Sequence, residues 1–119
     1  MNTADLGKHG EDIACDFLKK KGFKILTRNF SCKLGEIDII AIDQRTLVFV
    51  EVKARWNDLY GKPEEAITPS KIRTIVRVSQ YFKLLNPKTP DLMRLDAVVI
   101  EMDEEGKCKR IEQINNLTS

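Results

Sequence analysis

Residues 35–55 read GEIDIIAIDQRTLVFVEVKAR, and the fold follows from this stretch. Two apolar runs, Glu36–Ile42 and Thr46–Arg55, are rich in Ile, Val and Phe, the composition of buried strands. The polar Asp43-Gln44-Arg45 between them reads as a hairpin turn. Yet each run carries charges within its apolar part: Glu36 and Asp38 in the first, Glu51 and Lys53 in the second. Burying an unpaired carboxylate costs several kcal/mol or forces it to take up a proton. Something must offset that cost.

A two-residue loop at Gln44-Arg45, or a four-residue loop ending at Thr46, places Ile42 opposite Leu47. Counting back, Asp38 faces Glu51 and Glu36 faces Lys53, with facing side chains about 5 Å apart at Cβ. Glu36 with Lys53 is a favourable pair and a supporting contact. Asp38 with Glu51 is a like-charge pair, and a divalent cation held between them removes the conflict; oxygen ligands of this kind suit Mg²⁺ or Mn²⁺. Alternation puts Glu51 and Lys53 on one face and Val50, Val52 and Ala54 on the other. If the strand splays at Val52, its backbone carbonyl is a further metal ligand. Lys53, beside the carboxylates, is placed to orient or activate a water, or to stabilise charge growing on a phosphate. A loop of odd length would slip the register by one and weaken this geometry.

Outward from the hairpin, Leu6, Ile13, Ala14, Phe17 and Leu18 recur at helical spacing and predict a helix over Ala4–Lys21. Lys19, Lys20 and Lys21 lie in its last turn, and Gly22 follows as a cap. Phe23–Phe30 is a further, less regular strand. Beyond the hairpin, Trp56–Ile67 reads as a loop broken by Asn57, Asp58, Gly61 and Pro63. Thr68 as N-cap with Pro69 in first position starts a second helix running to about Leu85. Its inner face is Ile72, Ile75, Val76, Ser79 and Phe82. Strands at Arg94–Met102 and Lys109–Ile114 complete an α-β-β-β-α-β-β order, a mixed sheet with helices packed against it.

The 119 residues suit one domain spanning 1–119, and 42% hydrophobic residues can fill one core. A net charge of +2 is far from the strongly basic balance of a nucleic-acid coat, so local charge carries more information than the total. The three cysteines, Cys15, Cys32 and Cys108, are scattered, which argues against a structural zinc site and for a reducing compartment. The N-terminal MNTADLGKHGED lacks an apolar signal region, and no apolar run is long enough to span a bilayer; a cytoplasmic location without membrane contact is expected. No Gly-rich phosphate loop is present, so no nucleotide cofactor is expected.

Asp38 followed by Glu51-x-Lys53 in the next strand resembles the PD-(D/E)XK nuclease signature. Gly10-Glu11-Asp12-Ile13-Ala14, Arg28-Asn29-Phe30, Gly35-Glu36-Ile37-Asp38, Phe49-Val50-Glu51-Val52-Lys53 and Thr68-x-x-Lys71 together resemble the bacterial YraN family of endonuclease-like proteins, which is similar to archaeal Holliday-junction resolvases. The resemblance covers nearly the whole chain. It implies a restriction-endonuclease-like α/β fold, with Asp38 and Glu51 as metal ligands and Lys53 as the catalytic lysine. It also implies that Glu11 completes the site from the first helix. Glu11 shares a helix stripe with Gly7, Ala14 and Leu18, and Gly7 and Gly10 leave room for close approach. Ile37 stands where the signature has proline.

Lys71, Arg73 and Arg77 on the second helix are candidate nucleic-acid contacts, together with Lys83 and the Lys19-Lys20-Lys21 cluster; a solvated helix face is the alternative. Lys71 sits in the first turn, where a cation opposes the helix dipole, so a partner is expected for it. Trp56 and Tyr60, leaving the strand of Lys53, are candidates to stack on bases, with loop packing as the alternative. His9, the only histidine, is expected on the exposed side of its helix. The expected function is a divalent-metal-dependent endonuclease acting on DNA, branched or otherwise structured. The alternatives are a non-catalytic module of the same fold that binds nucleic acid or a protein partner, and a homodimer clasping a branched substrate.

Overall fold

The structure, a computed structural model, describes residues 2–56 and 61–118. Its elements are α1 (Thr3–Lys20), β1 (Lys24–Cys32), β2 (Gly35–Asp43), β3 (Thr46–Arg55), a 3-10 turn (Pro63–Ala66), α2 (Pro69–Leu85), β4 (Leu92–Met102) and β5 (Cys108–Ile114). This is the α-β-β-β-α-β-β order read from the sequence. The five strands form one sheet in the order β1-β2-β3-β4-β5. All neighbours are antiparallel except β3 and β4, which α2 connects as a parallel pair. Among the described residues no helix is long and apolar enough to cross a membrane.

The helix ends are set by side chains. Asn2 Oδ1 accepts from the Asp5 amide at 2.9 Å and starts α1. Gly22, at φ 94°, takes the left-handed backbone that stops it. Thr68 accepts from the Lys71 amide and Pro69 opens α2 in the first helical position. The hairpin uses the two-residue turn at Gln44-Arg45, closed by Asp43 opposite Thr46, so Ile42 faces Leu47 as expected.

The two faces of the sheet are covered separately. Val48, Val50, Val52 and Ala54 of β3 pack with Leu6, Ala14, Cys15 and Leu18 of α1. Leu47 and Phe49, on the other face, pack with Ile75, Val78 and Phe82 of α2. Phe82 meets Phe49 edge to face, with ring centroids 5.9 Å apart. Burying a side chain of this kind contributes roughly 1.5–3 kcal/mol, and β3, central in the sheet, is buried on both faces.

Of the two glycines expected to admit close approach, only Gly10 does. A Cβ there would meet the Ala54 methyl at 2.9 Å, whereas a Cβ on Gly7 meets nothing within 4 Å. His9 also differs from expectation. It is half-buried, and its Nε2–H donates to the Gly106 carbonyl at 2.8 Å, tying α1 to the β4–β5 connection. Trp56 packs partly buried against the α1-side core, and Tyr60 lies outside the described residues.

Opposite stability effects are expected at the two glycines. Gly10→Val lowers stability by about 1–3 kcal/mol through overpacking against β3. Gly7→Ala raises it by roughly 0.5–1 kcal/mol through helix propensity. Urea unfolding midpoints of the two variants check both signs.

Candidate active site

Strict alternation along β2 would put Ile37 and Ile39 on the same face. Instead Ile39 joins the α1-side core and Ile37 the α2-side core, so the strand turns over at Asp38. Opposite this point on β1, Asn29 adopts a left-handed backbone at φ 55°. The β2–β3 ladder ends with Ile39 opposite Val50. Beyond it, Asp38 Oδ2 accepts the Val52 amide at 2.7 Å, so a side-chain carboxylate continues what the backbone ladder stops.

That bond fixes one oxygen of Asp38 at the split between the strands. The N–H and C=O of one strand residue share an edge, so the Val52 carbonyl also borders the split, which is the splaying its expected ligand role requires. Val52 pairs in register with Val98 of β4 on its other edge.

Glu51 is 8% exposed. Its carboxyl is pushed up from the ordinary 4.5 to about 8, first by burial, then by the negative charge of Asp38 and a hydrogen bond shared with it. Lys71 and Lys53 oppose the rise. Lys71 Nζ stands 3.7 Å from Glu51 Oε1, the partner that a cation in the first turn of α2 was expected to need. Lys53 is half-buried, and its ammonium is pushed down by burial and by the positive charges of Lys71 and Arg55.

Glu11 enters from α1 with its carboxyl pushed up by burial and by Asp38. Its charge is partly balanced by Arg28 at 3.7 Å, which is itself bonded to Asp12 at 2.8 Å. Asn29 donates a side-chain hydrogen bond to Glu11. Glu11, Arg28 and Asn29 border a cleft of about 510 Å³ with Ala4, Gly7 and Lys8. Among the described residues no three His, Cys, Asp or Glu side chains close into a ready-made metal cage. The converging acids are the Asp38–Glu51 pair, with Glu11 in electrostatic reach of Asp38.

Glu36 and Asn29 depart from the sequence reading, whereas the exposure of Arg73 and Arg77 fits both roles considered for them. Glu36 is exposed and pairs in register with Ser31 rather than facing Lys53, because the ladder to β3 has already opened. Arg73 and Arg77 stand exposed on α2, away from the buried stripe of Ile75, Val78, Ser79 and Phe82. Asn29, given no role from the sequence, is the residue across from Asp38 and a partner of Glu11. Its signal was available: an asparagine inside a strand is out of place unless it supplies a left-handed backbone.

Fold and site define a mixed α/β protein with two carboxylates and a lysine gathered where its sheet splits. The chain belongs to the Uncharacterised protein family UPF0102, whose sequence model matches residues 10–100, a span holding every candidate residue from Glu11 to Arg77. It is 46% identical over 116 residues to a UPF0102 protein of Caldicellulosiruptor saccharolyticus, covering 98% of each chain. It is 40% identical over 111 residues to one from Pelotomaculum thermopropionicum, covering 93% of this chain and 92% of that one. With a UPF0102 protein of Clostridium botulinum the identity is 53% over 78 residues, 66% of this chain and 63% of the other.

The raised Glu51 carboxyl fixes the sign of a pH effect. Folding favours its protonated form, so the favourable contribution is full below 4.5 and is lost as pH climbs towards about 8. Glu51→Gln, neutral throughout, is expected to gain on wild type by a few kcal/mol across that window. Urea midpoints at about pH 5 and about pH 9 measure the difference; a constant offset between the two proteins would contradict the assignment.

Proposed function

We propose that this protein is a divalent-metal-dependent endonuclease that hydrolyses phosphodiester bonds in DNA, branched or otherwise structured. The observation that carries the reading is the Asp38–Glu51 carboxylate pair, brought together at the opening of the β2–β3 ladder with Lys53 two residues along β3. The donor set fits Mg²⁺ or Mn²⁺: two carboxylates in mutual conflict, and a backbone carbonyl on the same edge. Asp38, Glu51 and the Val52 carbonyl would hold the ion. Such an ion polarises a phosphodiester oxygen and acidifies water.

The chain's own groups do the rest. The Val52 amide orients Asp38 before any ligand arrives. Lys53, with its ammonium pushed down, is poised to exchange a proton at Nζ with the attacking water or the leaving oxygen, and in its charged form to stabilise a phosphorane-like charge. Glu11, kept near Asp38 and restrained by Arg28 and Asn29, assists from the α1 side. Lys71, Arg73 and Arg77 on α2 contact phosphates and position the strand.

The second reading, a binding module of the same fold that does not cut, is favoured by one observation: Glu11 is turned to Arg28 rather than closing a third side of a metal cage. The two readings separate on branched DNA with Mg²⁺ or Mn²⁺. Asp38→Ala and Glu51→Ala are expected to slow cleavage at least about 100-fold while the fold persists by circular dichroism. Cleavage by either variant at the wild-type rate would overturn the nuclease mechanism. DNA binding without metal and without nicked product, in wild type, would establish the module.

A further inference from the structure

Two cationic side chains, Lys53 and Lys71, reach Glu51, a third, Arg55, reaches Lys53, and they differ in how they are held. Lys53 rises from the central strand and is half-buried. Arg55, two residues on, is also half-buried, and its Nη1–H bonds the Ala54 carbonyl at 3.4 Å. Lys71 is different. It comes from another element, the first turn of α2, and its side chain is 44% exposed while that of Glu51 is 9% exposed. Its ammonium lies 3.7 Å from Glu51 Oε1, a distance of charge contact rather than of a hydrogen bond. Its position near the positive end of the α2 dipole, and the repulsion it exerts on Lys53, both work against it. What keeps it there is the Glu51 carboxyl, whose ionised form Lys71 favours against burial and against Asp38.

A divalent ion seated on the pair would carry twice the charge of an ammonium and bind both carboxylates. Positive charge at the cleft would then be in excess, with Lys53 confined to its strand and Lys71 free to leave through solvent. We propose that Lys71 is the resident counter-cation of the Asp38–Glu51 pair, exchanged for the divalent ion on metal binding and thereby released to contact a phosphate of the nucleic-acid strand. This rests on the metal-dependent nuclease reading above. It makes metal and polyanion binding mutually reinforcing, since each favours the state in which Lys71 has left Glu51.

Calorimetric titration with Mn²⁺ alone tests the exchange, comparing wild type with Lys71→Met, Lys71→Arg and Lys88→Met. The last removes the same charge beyond the far end of α2. Removing the competitor should tighten Mn²⁺ binding by about three- to tenfold in Lys71→Met, the range that a partly exposed ion pair supports. Lys71→Arg should stay near wild type, and Lys88→Met should not move. Equal or weaker binding by Lys71→Met, or an equal gain in Lys88→Met, overturns the exchange and leaves the metal site standing. Binding by none of the four overturns the metal site itself. Amine labelling of wild type read by mass spectrometry needs no variant: modification of Lys71 should rise with Mn²⁺, and an unchanged rate refutes its release.

Discussion

The Val52 amide donates to Asp38 at 2.7 Å, and the cleft depends on that bond. A central strand cannot leave a backbone N–H without a partner at low cost. Here the antiparallel neighbour has already turned away, its Ile37 and Ile39 committed to opposite cores. A side-chain oxygen takes the place of the missing carbonyl. The sheet thereby opens without an orphaned donor, and the acid that closes the gap is also the acid the site uses. Structural and chemical demands fall on the same carboxylate.

The remaining groups are delivered by elements whose placement is settled elsewhere. α1 lies on one face through Leu6, Ala14 and Leu18, and brings Glu11. α2 lies on the other through Ile75, Val78 and Phe82, and its first turn brings Lys71 to Glu51. The parallel β3–β4 pair makes this possible, because the connection must cross a face of the sheet and so starts a helix near the end of β3. A separate network holds the middle of β4: buried Asp96, in register with Val50, accepts from Arg94, from Gln113 and from the Asn116 amide. It fixes β4 beside the strand that carries Glu51 and Lys53.

Much of this was legible in the sequence, because local signals agreed with the fold. Thr68-Pro69 gave the start of α2 to the residue, and the turn chemistry of residues 43–46 gave the hairpin register. The register pointed Asp38 towards Glu51, and the two acids do interact, although the ladder itself stops one pair earlier, at Ile39 and Val50. What did not follow was the end of the ladder. Pattern rules assume that a strand keeps its alternation, and β2 abandons it at Asp38, so Glu36 does not meet Lys53 and the Asp38 carboxylate reaches a backbone amide instead. The break lies beside the left-handed Asn29 of the neighbouring strand, and a long-range feature of that kind leaves little trace in the stretch it borders. His9 was misread for a similar reason: its acceptor, Gly106, is 97 residues away. Membership of the UPF0102 family was readable because it rests on spaced motifs rather than on geometry.

The near-contact between Gly10 and Ala54 has a bearing on how such a site is tuned. Gly10 precedes Glu11, and Ala54 follows Lys53, so this tight approach of helix to sheet joins the immediate neighbours of two charged groups. The gap between α1 and β3 acts as a spacer whose thickness is one missing methyl group. Enlarging residue 54 would push α1, and Glu11 with it, away from β3 without altering any charge. The acidity of the cleft is therefore adjustable by volume alone, through a pair of the smallest residues in the chain.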